Sequence, residues 1–261
     1  MKSLKEFHSR TIKVLLTDID GTLTDDGKLP AHAYQSLSRL ALAGIAVIPV
    51  TGRPAGWWEL IARLWPVHGV VGENGAFYFR LANGKMKRVF ARDKKSRQAD
   101  RAKLRAIRRQ VLSEVPGAGI ASDQFSRLFD LAIDFREDVP PLSKSKIDRI
   151  VGIFAEHGAT AKVSNIHVNG WFGDHDKLST CRVYLKREFG MDEKRMREEC
   201  AFVGDSPNDE PMFGFFPNAV AVANIKEFLP RLKHKPAFIA DGREADGFTE
   251  FAETLLRFQS R

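Results

Sequence analysis

The sequence contains few cysteines and has no long hydrophobic run. Only Cys181 and Cys200 occur in 261 residues, so the two can pair but a disulfide framework is excluded, and a reducing compartment is indicated. No stretch reaches the roughly 18 apolar residues of a transmembrane helix, and the apolar run at 40–50 is interrupted by Gly44. Residues 1–13 lack the apolar centre of a signal peptide. These absences predict a cytoplasmic protein without membrane association.

Acidic residues are scarce in one part of the chain. The net charge is +8, and residues 80–110 contain 13 Lys or Arg against two acidic residues. A basic protein attracts nucleic acid, anionic membranes or phosphorylated metabolites. However, residues 91–110 contain no aromatic side chain, which stacking on single-stranded nucleic acid requires. We therefore interpret this stretch as a solvated helix face plus a hairpin, and nucleic-acid binding is the lesser alternative.

An apolar run ends at two carboxylates in residues 14–22. Such a run indicates a buried strand of a parallel sheet, and ligands bind beyond the carboxyl ends of those strands. Asp18 and Asp20 are two apart, so their side chains point to the same side of an extended segment. Two close carboxylates repel unless a cation lies between them. The pair predicts a metal site, separate acid and base roles, or both; an ordinary Asp-Gly turn is the alternative.

Strand and helix patterns alternate at both ends of the chain but change in the middle. The amino-terminal part predicts strands at 14–17, 45–50, 68–71 and 76–79 and helices at 33–43 and 54–65. The middle predicts a hairpin at Asn83-Gly84, helices at 97–114 and 143–157, a strand at 125–135 and one or two strands at 161–172. The carboxyl-terminal part predicts helices at 177–189 and 249–258 and strands at 200–203, 219–223 and 237–239. We expect a doubly wound parallel, Rossmann-like α/β core made of 1–81 and 173–261, with an α+β cap domain inserted at 82–172.

Four polar segments share one rim of this predicted core. Asp18, Thr51 and Asp205 each follow an apolar strand, and Lys177 begins a helix. Because the carboxyl ends of parallel strands lie at one edge, we expect these side chains to converge. Carboxylates, a hydroxyl and an ammonium group together suit a metal-bound phosphate.

These segments resemble the four motifs of the haloacid-dehalogenase superfamily of phosphohydrolases. The matching residues are Asp18-Ile19-Asp20-Gly21-Thr22, Thr51-Gly52-Arg53, Lys177 and Gly204-Asp205-Ser206-Pro207-Asn208-Asp209. Glu73-Asn74-Gly75-Ala76 and Asp246-Gly247-Phe248 resemble the branch with a large α/β cap. That branch includes phosphatases acting on sucrose phosphate, trehalose phosphate and mannosyl-phosphoglycerate. The chain departs from the pattern at Leu178, where relatives often have glycine.

The resemblance implies a Mg²⁺-dependent phosphatase acting through an aspartyl phosphate. It implies Asp18 as the nucleophile and Asp20 as the general acid and base. The implied phosphate-binding residues are Thr51, Gly52, Lys177 and Asn208. The implied metal site consists of Asp18, the backbone carbonyl of Asp20, and Asp205, with Asp209 behind them.

The leaving group is predicted to be read by the cap. Asn165, His167 and Asn169 alternate along a predicted strand, as do Val163 and Trp171, so these polar groups share a face with an aromatic ring. This face suits recognition of a sugar phosphate, although a solvated sheet face gives the same pattern. We expect a small phosphorylated metabolite as substrate and a monomer or homodimer. A phosphosugar mutase is the alternative within the same superfamily.

Overall fold

The computed structural model describes residues 1–9, 11–164 and 166–259. Its strands are β1 Lys2–Ser3, β2 Val14–Thr17, β3 Ala46–Pro49, β4 Val70–Gly72, β5 Phe77–Ala82, β6 Lys85–Phe90, β7 Gly119–Ile120, β8 Leu131–Asp134, β9 Thr160–Val163, β10 His167–Trp171, β11 Cys200–Gly204, β12 Ala219–Ala221 and β13 Phe238–Ile239. Its helices are α1 Ala31–Leu42, α2 Ala55–Leu64, α3 Lys94–Glu114, α4 Lys144–Glu156, α5 Lys177–Phe189, α6 Glu193–Glu199, α7 Glu210–Phe215 and α8 Glu244–Gln259.

A parallel sheet forms the centre of the fold. Its strand order is β1-β13-β12-β11-β2-β3, and every neighbouring pair runs parallel. The chain leaves β2 toward β3 on one side and returns to β11 on the other side. Ligands of such sheets bind where the strand order reverses. The carboxyl ends of β2 and β11 therefore mark the expected position of a site.

Helices cover both faces of this sheet. Leu15 of β2 packs in one buried cluster with side chains of α1, α2 and α8. Val14 and Leu16, on the other face of the same strand, pack with side chains of α5, α6 and α7. Successive residues of a strand point to opposite faces of the sheet. Because the residues on both faces of β2 are apolar, helices bury the strand from both sides. The predicted doubly wound α/β core is confirmed.

The structure also contains two smaller antiparallel sheets. One has the order β7-β8-β10-β9, and its apolar face packs against α3 and α4 around Ile107 and Phe154. The other has the order β4-β5-β6, with Asn83 and Gly84 in the left-handed conformation at its hairpin turn. That turn lies at the predicted boundary near residue 82. The division into a core and a cap domain stays a prediction.

Several predicted elements differ from the structure. The strand at 68–71 is shifted to β4 and pairs antiparallel with β5. It contacts the parallel sheet through a bridge between Val50 and Val71 and through the N–H of His68, which donates to the carbonyl oxygen of Val47 at 2.9 Å. The predicted strand 125–135 is instead a 3₁₀ turn, Gln124–Ser126, a loop, and the short β8. The final helix begins at Glu244 rather than 249. The segment 161–172 forms two antiparallel strands, one of the two predicted outcomes, but Val163 and Trp171 lie on different strands and not on one.

Two expectations concern the environment of the chain. Cys181 and Cys200 are buried free thiols. In the part of the chain that the structure describes, no helix has the length and apolar character needed to cross a membrane.

Candidate active site

The predicted rim residues converge at the carboxyl edge of the parallel sheet. Asp18 continues β2, and its backbone N–H donates to the carbonyl oxygen of Val203 in β11 at 2.9 Å. Asp205 follows the end of β11 directly, and Thr51 follows the bridge residue Val50 beyond β3. All three side chains belong to buried residues. The sheet therefore holds them rigidly, with little access to bulk solvent.

Lys177 lies between two carboxylates at the base of the site. Its Nζ is 2.7 Å from Asp18 Oδ1 and 2.7 Å from Asp209 Oδ1, and Asn208 Oδ1 lies 3.5 Å away. Burial alone would lower the pKa of Lys177, but Asp18 and Asp209 outweigh burial and hold that pKa above its usual range. The ammonium group is thus fixed as a cation beside the predicted nucleophile, and Leu178 does not displace it.

The carboxylates exceed the positive charge available to them. Oxygens of Asp18, Asp205 and Asp209 lie within 4.8 Å of one another. The pKa of Asp18 is raised to about 7, chiefly by burial; Lys177 opposes the shift, and the charges of Asp209 and Asp20 add to it. Burial and the charges of Asp18 and Asp209 also raise the pKa of Asp205. A divalent cation would relieve this repulsion, and oxygen donors are the ligands that Mg²⁺ prefers.

The individual carboxylates are not equivalent toward such a cation. Oδ1 of Asp205 is buried and has no hydrogen-bond partner among the described residues, so it is a free ligand atom. Asp209 instead accepts from the backbone N–H groups of Asp205 at 3.1 Å and Ser206 at 3.4 Å, besides contacting Lys177. Its oxygens are already engaged. Asp209 therefore orients the loop that presents Asp205, which fits the predicted position behind the direct ligands.

Asn224 is a member of the site that sequence reasoning missed. Its Nδ2 donates to Asp205 Oδ2 and to the carbonyl oxygen of Gly21, both at 3.0 Å. Gly21 has φ +77°, and a Cβ added there would lie 2.6 Å from Asp205 Oδ2. Glycine is thus required for the Asp18-Asp20 turn to approach Asp205. No local pattern around Asn224 indicated this contact.

Arg53 contacts the predicted general acid and base. Its Nε and Nη2 donate to Asp20 Oδ1 at 3.0 and 2.9 Å, and its guanidinium carbon lies 4.9 Å from the ring centre of Trp57. Thr51 Oγ1 donates to Asp20 Oδ2 at 3.4 Å. The second motif was predicted to contact phosphate through Thr51 and Gly52, but Arg53 was not among the predicted site residues. A two-point contact of this kind fixes the orientation of a carboxylate.

A cavity of about 580 Å³ opens above these groups. The lining comprises two groups: Asp18, Asp20, Thr51, Gly52 and Asn208 at the sheet edge, which we call the floor, and residues of the middle segment (82–172), which we call the wall. That wall includes His167, 2.9 Å from Glu137 through Nε2, and Asn169, whose Nδ2 donates to Asp130 at 3.0 Å. Asn165, the third predicted cap residue, lies outside the described residues. The predicted polar face therefore meets the rim across one cavity of metabolite size.

The turn at residues 73–75 packs against Asp176, the residue before Lys177. Glu73, Asn74 and Gly75 all have positive φ, at 41°, 53° and 98°. A Cβ added at Gly75 would lie 2.0 Å from the carbonyl oxygen of Asp176. Asp176 precedes Lys177 and caps α5 by accepting from the N–H of Ser179 at 2.6 Å. The turn therefore sets how closely the start of α5 approaches the sheet.

Sequence comparison relates the chain to hydrolases. Residues 15–103 match the family model of haloacid dehalogenase-like hydrolases. The phosphoglycolate phosphatase of Methanoculleus marisnigri is 26% identical over 92% of this chain and 94% of its own length. The phosphoglycolate phosphatase of Metallosphaera sedula is 28% identical over 94% and 99%. Both alignments cover more than nine-tenths of this chain.

Structural comparison gives the same fold at lower identity. The crystal structure of Thermoplasma acidophilum 0175 superposes with a TM-score of 0.72 at 19% identity, covering 97% of this chain and 100% of that one. The sucrose-phosphatase of a Synechocystis species gives a TM-score of 0.64 at 16% identity, covering 95% and 98%.

Proposed function

We propose that this haloacid dehalogenase-like hydrolase, a phosphoric monoester hydrolase, is a Mg²⁺-dependent phosphatase of a small phosphorylated metabolite. The observation that carries the proposal is the contact at 2.7 Å between Asp18, which lines the cavity, and the buried Lys177. Phosphoryl transfer depends on positioning and charge neutralisation, and a fixed cation beside a carboxylate supplies both. The surplus of buried carboxylate supports the metal requirement.

The residues of the chain account for both halves of the reaction. An oxygen of Asp18 forms a bond to phosphorus while the bond to the ester oxygen breaks, and Asp20 gives its proton to the leaving alkoxide. Asp20 then takes a proton from the water that attacks the aspartyl phosphate, which releases phosphate and restores Asp18. Lys177 and Thr51 hold the phosphoryl oxygens, and Asn208 orients them. Arg53 keeps Asp20 aimed into the cavity.

The metal site comprises Asp18, the backbone carbonyl of Asp20, and Asp205, and Asp209 orients the Asp205 loop. Oδ1 of Asp205, which has no hydrogen-bond partner among the described residues, supports this assignment. Bound Mg²⁺ supplies charge neutralisation at the phosphoryl oxygens and favours the ionised form of Asp18.

Two substrate classes are consistent with the cavity. A sugar phosphate is supported by the likeness to the sucrose-phosphatase and by polar His167 and Asn169 on the wall. A phosphorylated carboxylic acid is supported by the relatives named phosphoglycolate phosphatase and by Arg136 and Lys162. Those two cations line the cavity and have no ion-pair partner among the described residues. They suit a second anionic group on the leaving side.

The first experiment tests the reaction itself. Hydrolysis of p-nitrophenyl phosphate is measured with Mg²⁺, with EDTA, and with Asp18→Asn. We expect both EDTA and Asp18→Asn to remove nearly all turnover, and Asp148→Asn to leave it unchanged because Asp148 is exposed on α4 and forms its ion pair with the exposed Lys144. Activity that persists in EDTA and in Asp18→Asn would exclude this mechanism.

The second experiment identifies the substrate class. Phosphate release is measured with hexose phosphates, sucrose phosphate and 2-phosphoglycolate, alongside Arg136→Ala. A preference for 2-phosphoglycolate that Arg136→Ala abolishes would support the acidic leaving group. Conversion of a hexose phosphate into its isomer without free phosphate would instead indicate a mutase.

A further inference from the structure

Arg127 is a buried cation that the catalytic scheme leaves without a role. Its side chain is 1% exposed, and it lies in the loop between the 3₁₀ turn at Gln124–Ser126 and β8. Its Nε and Nη2 donate to Asp123 at 2.9 and 3.2 Å, and its Nη1 donates to both oxygens of Asp130 at 3.0 Å. Burying a guanidinium group is costly unless several acceptors surround it. Such a group defines the geometry of whatever it contacts.

The same Nη1 contacts the turn Thr51-Gly52-Arg53, which we call the phosphate-binding turn. It donates to the carbonyl oxygen of Gly52 at 3.0 Å. This carbonyl belongs to the same rigid peptide unit as the N–H of Arg53, which donates to Thr51 Oγ1 at 3.1 Å. Thr51 Oγ1 in turn contacts Asp20. Fixing the Gly52 carbonyl therefore fixes the hydroxyl that is expected to hold phosphate.

A second link joins the same two segments. The carboxylate of Glu73 accepts from the N–H of Ala55 at the start of α2 at 2.9 Å. It also accepts from the N–H groups of Leu128, Phe129 and Asp130, at 2.8, 2.6 and 3.2 Å. One carboxylate thus clamps residues 128–130 to the beginning of the helix that follows the phosphate-binding turn. The loop carrying Arg127 and the turn at Thr51 form one unit.

The far end of this unit reaches the substrate wall. Asp130, whose side chain is fully buried, accepts from Asn169 Nδ2 at 3.0 Å. Asn169 lines the cavity. A continuous path of hydrogen bonds therefore runs from Asn169 through Asp130 and Arg127 to Gly52. Every member of the path is buried or lines the cavity.

We propose that Arg127 is a positioning residue that holds the turn at Thr51 in its phosphate-binding conformation, and that Asp130 couples this turn to Asn169. The inference rests on the proposed phosphatase function. It assigns to the middle segment a part in phosphate binding as well as in reading the leaving group. On this proposal, contact between the substrate and Asn169 increases the affinity of the turn at Thr51 for phosphate.

The test compares Arg127→Lys with the matched control Asp123→Asn. Lysine keeps the charge, but its side chain is one bond shorter, so Nζ does not reach the point from which Nη1 of Arg127 contacts Gly52 and Asp130. Asp123→Asn leaves both of those contacts in place. We expect Arg127→Lys to lower kcat for every ester, including p-nitrophenyl phosphate, by about 10- to 100-fold. We expect it to weaken binding of inorganic phosphate, measured by calorimetry with Mg²⁺, about tenfold, a shift that a general loss of stability does not produce. Asp123→Asn should stay within about threefold of the parent on both measures.

Coupling to Asn169 is tested by a double-variant cycle. For the best natural substrate, the effects of Asn169→Ala and Arg127→Lys on kcat/KM should be non-additive, because the second change acts on a path already broken. For p-nitrophenyl phosphate, Asn169→Ala should have little effect. If Arg127→Lys does not fold, the double variant Arg127→Met with Asp130→Asn is tested in its place, because it removes both buried charges together.

The possible outcomes separate the two claims. If the parent hydrolyses esters, Asp18→Asn is inactive, and Arg127→Lys binds phosphate and turns over like the parent, the positioning inference is overturned while the phosphatase stands. If the parent hydrolyses no ester but binds phosphate, the proposed function fails, and the loss or retention of phosphate binding in Arg127→Lys still decides the role of Arg127. A parent that neither hydrolyses esters nor binds phosphate overturns both.

Discussion

Glu188 anchors the carboxyl-terminal end of α5 to the β5–β6 hairpin. Its side chain is 5% exposed, and its carboxylate accepts from Tyr78 Oη at 2.7 Å, from Arg80 Nη1 at 2.7 Å and from Lys87 Nζ. Burial alone would raise the pKa of Glu188, but these three donors outweigh burial and lower it from 4.5 to about 2. Because α5 also carries Lys177, this contact joins the hairpin to the helix that places Lys177 beside Asp18.

The depressed pKa has a defined effect on stability. A carboxyl group with a folded-state pKa below its unfolded value stabilises the protein above the unfolded pKa, near 4.5, and loses that contribution as the pH falls toward 2. A shift of this size corresponds to about 3 kcal/mol at neutral pH. Lys87 and Arg80 are 46% and 25% exposed, and solvent screens their charges, so we expect about 2 kcal/mol.

The assay is urea unfolding of the parent and Glu188→Gln at pH 7, 4.5 and 3. We expect Glu188→Gln to lower the free energy of unfolding by about 2 kcal/mol at pH 7, and by about half as much at pH 3. The control is Glu193→Gln, which removes an exposed contact with Arg182 and should cost less than about 1 kcal/mol at any pH. A deficit in Glu188→Gln that is the same at pH 7 and pH 3 would refute the assigned ionisation.

The remaining predictions concern the active site. His167→Ala and Asn169→Ala should lower kcat/KM for the natural substrate far more than for p-nitrophenyl phosphate, because both line the wall facing the leaving group; equal losses on all esters would assign them to folding or closure instead. Gly21→Ala should weaken Mg²⁺ binding, measured by calorimetry, because its Cβ would lie 2.6 Å from Asp205 Oδ2. The control is Gly27→Ala, because a Cβ added at Gly27 would meet no atom within 4 Å. Equal Mg²⁺ affinities in the two variants would contradict this account.

The sequence predicted the parts of the site that follow from strand ends. Asp18, Thr51 and Asp205 each end or follow an apolar run, and in a parallel sheet this is enough to bring them to one edge. Lys177 required the family resemblance, since a single lysine at the start of a helix has no distinctive local signal. The structure brings Lys177 to 2.7 Å from Asp18. Their catalytic roles stay predictions until the variants are measured.

The parts that sequence reasoning missed come from distant packing. Asn224 reaches Asp205, and Arg127 reaches Gly52, across many intervening residues. The segment 125–135 has apolar residues at alternating positions, which predicted one strand. That prediction was wrong for residues 125–130, because the Glu73 carboxylate accepts from the N–H groups of Leu128, Phe129 and Asp130, which a strand would have paired in a sheet.

The close approach of Gly75 to Asp176 bears on how mutational maps of this protein should be interpreted. Any side chain at Gly75 would place its Cβ 2.0 Å from a backbone oxygen, and backbone cannot move aside as a flexible side chain does. In a saturation library scored by phosphatase activity, Gly75 should therefore tolerate substitution as poorly as Asp18. The two positions separate when the same library is scored by the abundance of folded protein: Asp18 variants remain abundant, whereas Gly75 variants are depleted. Intolerance at Gly75 would then report the seating of α5 and not a contact with substrate.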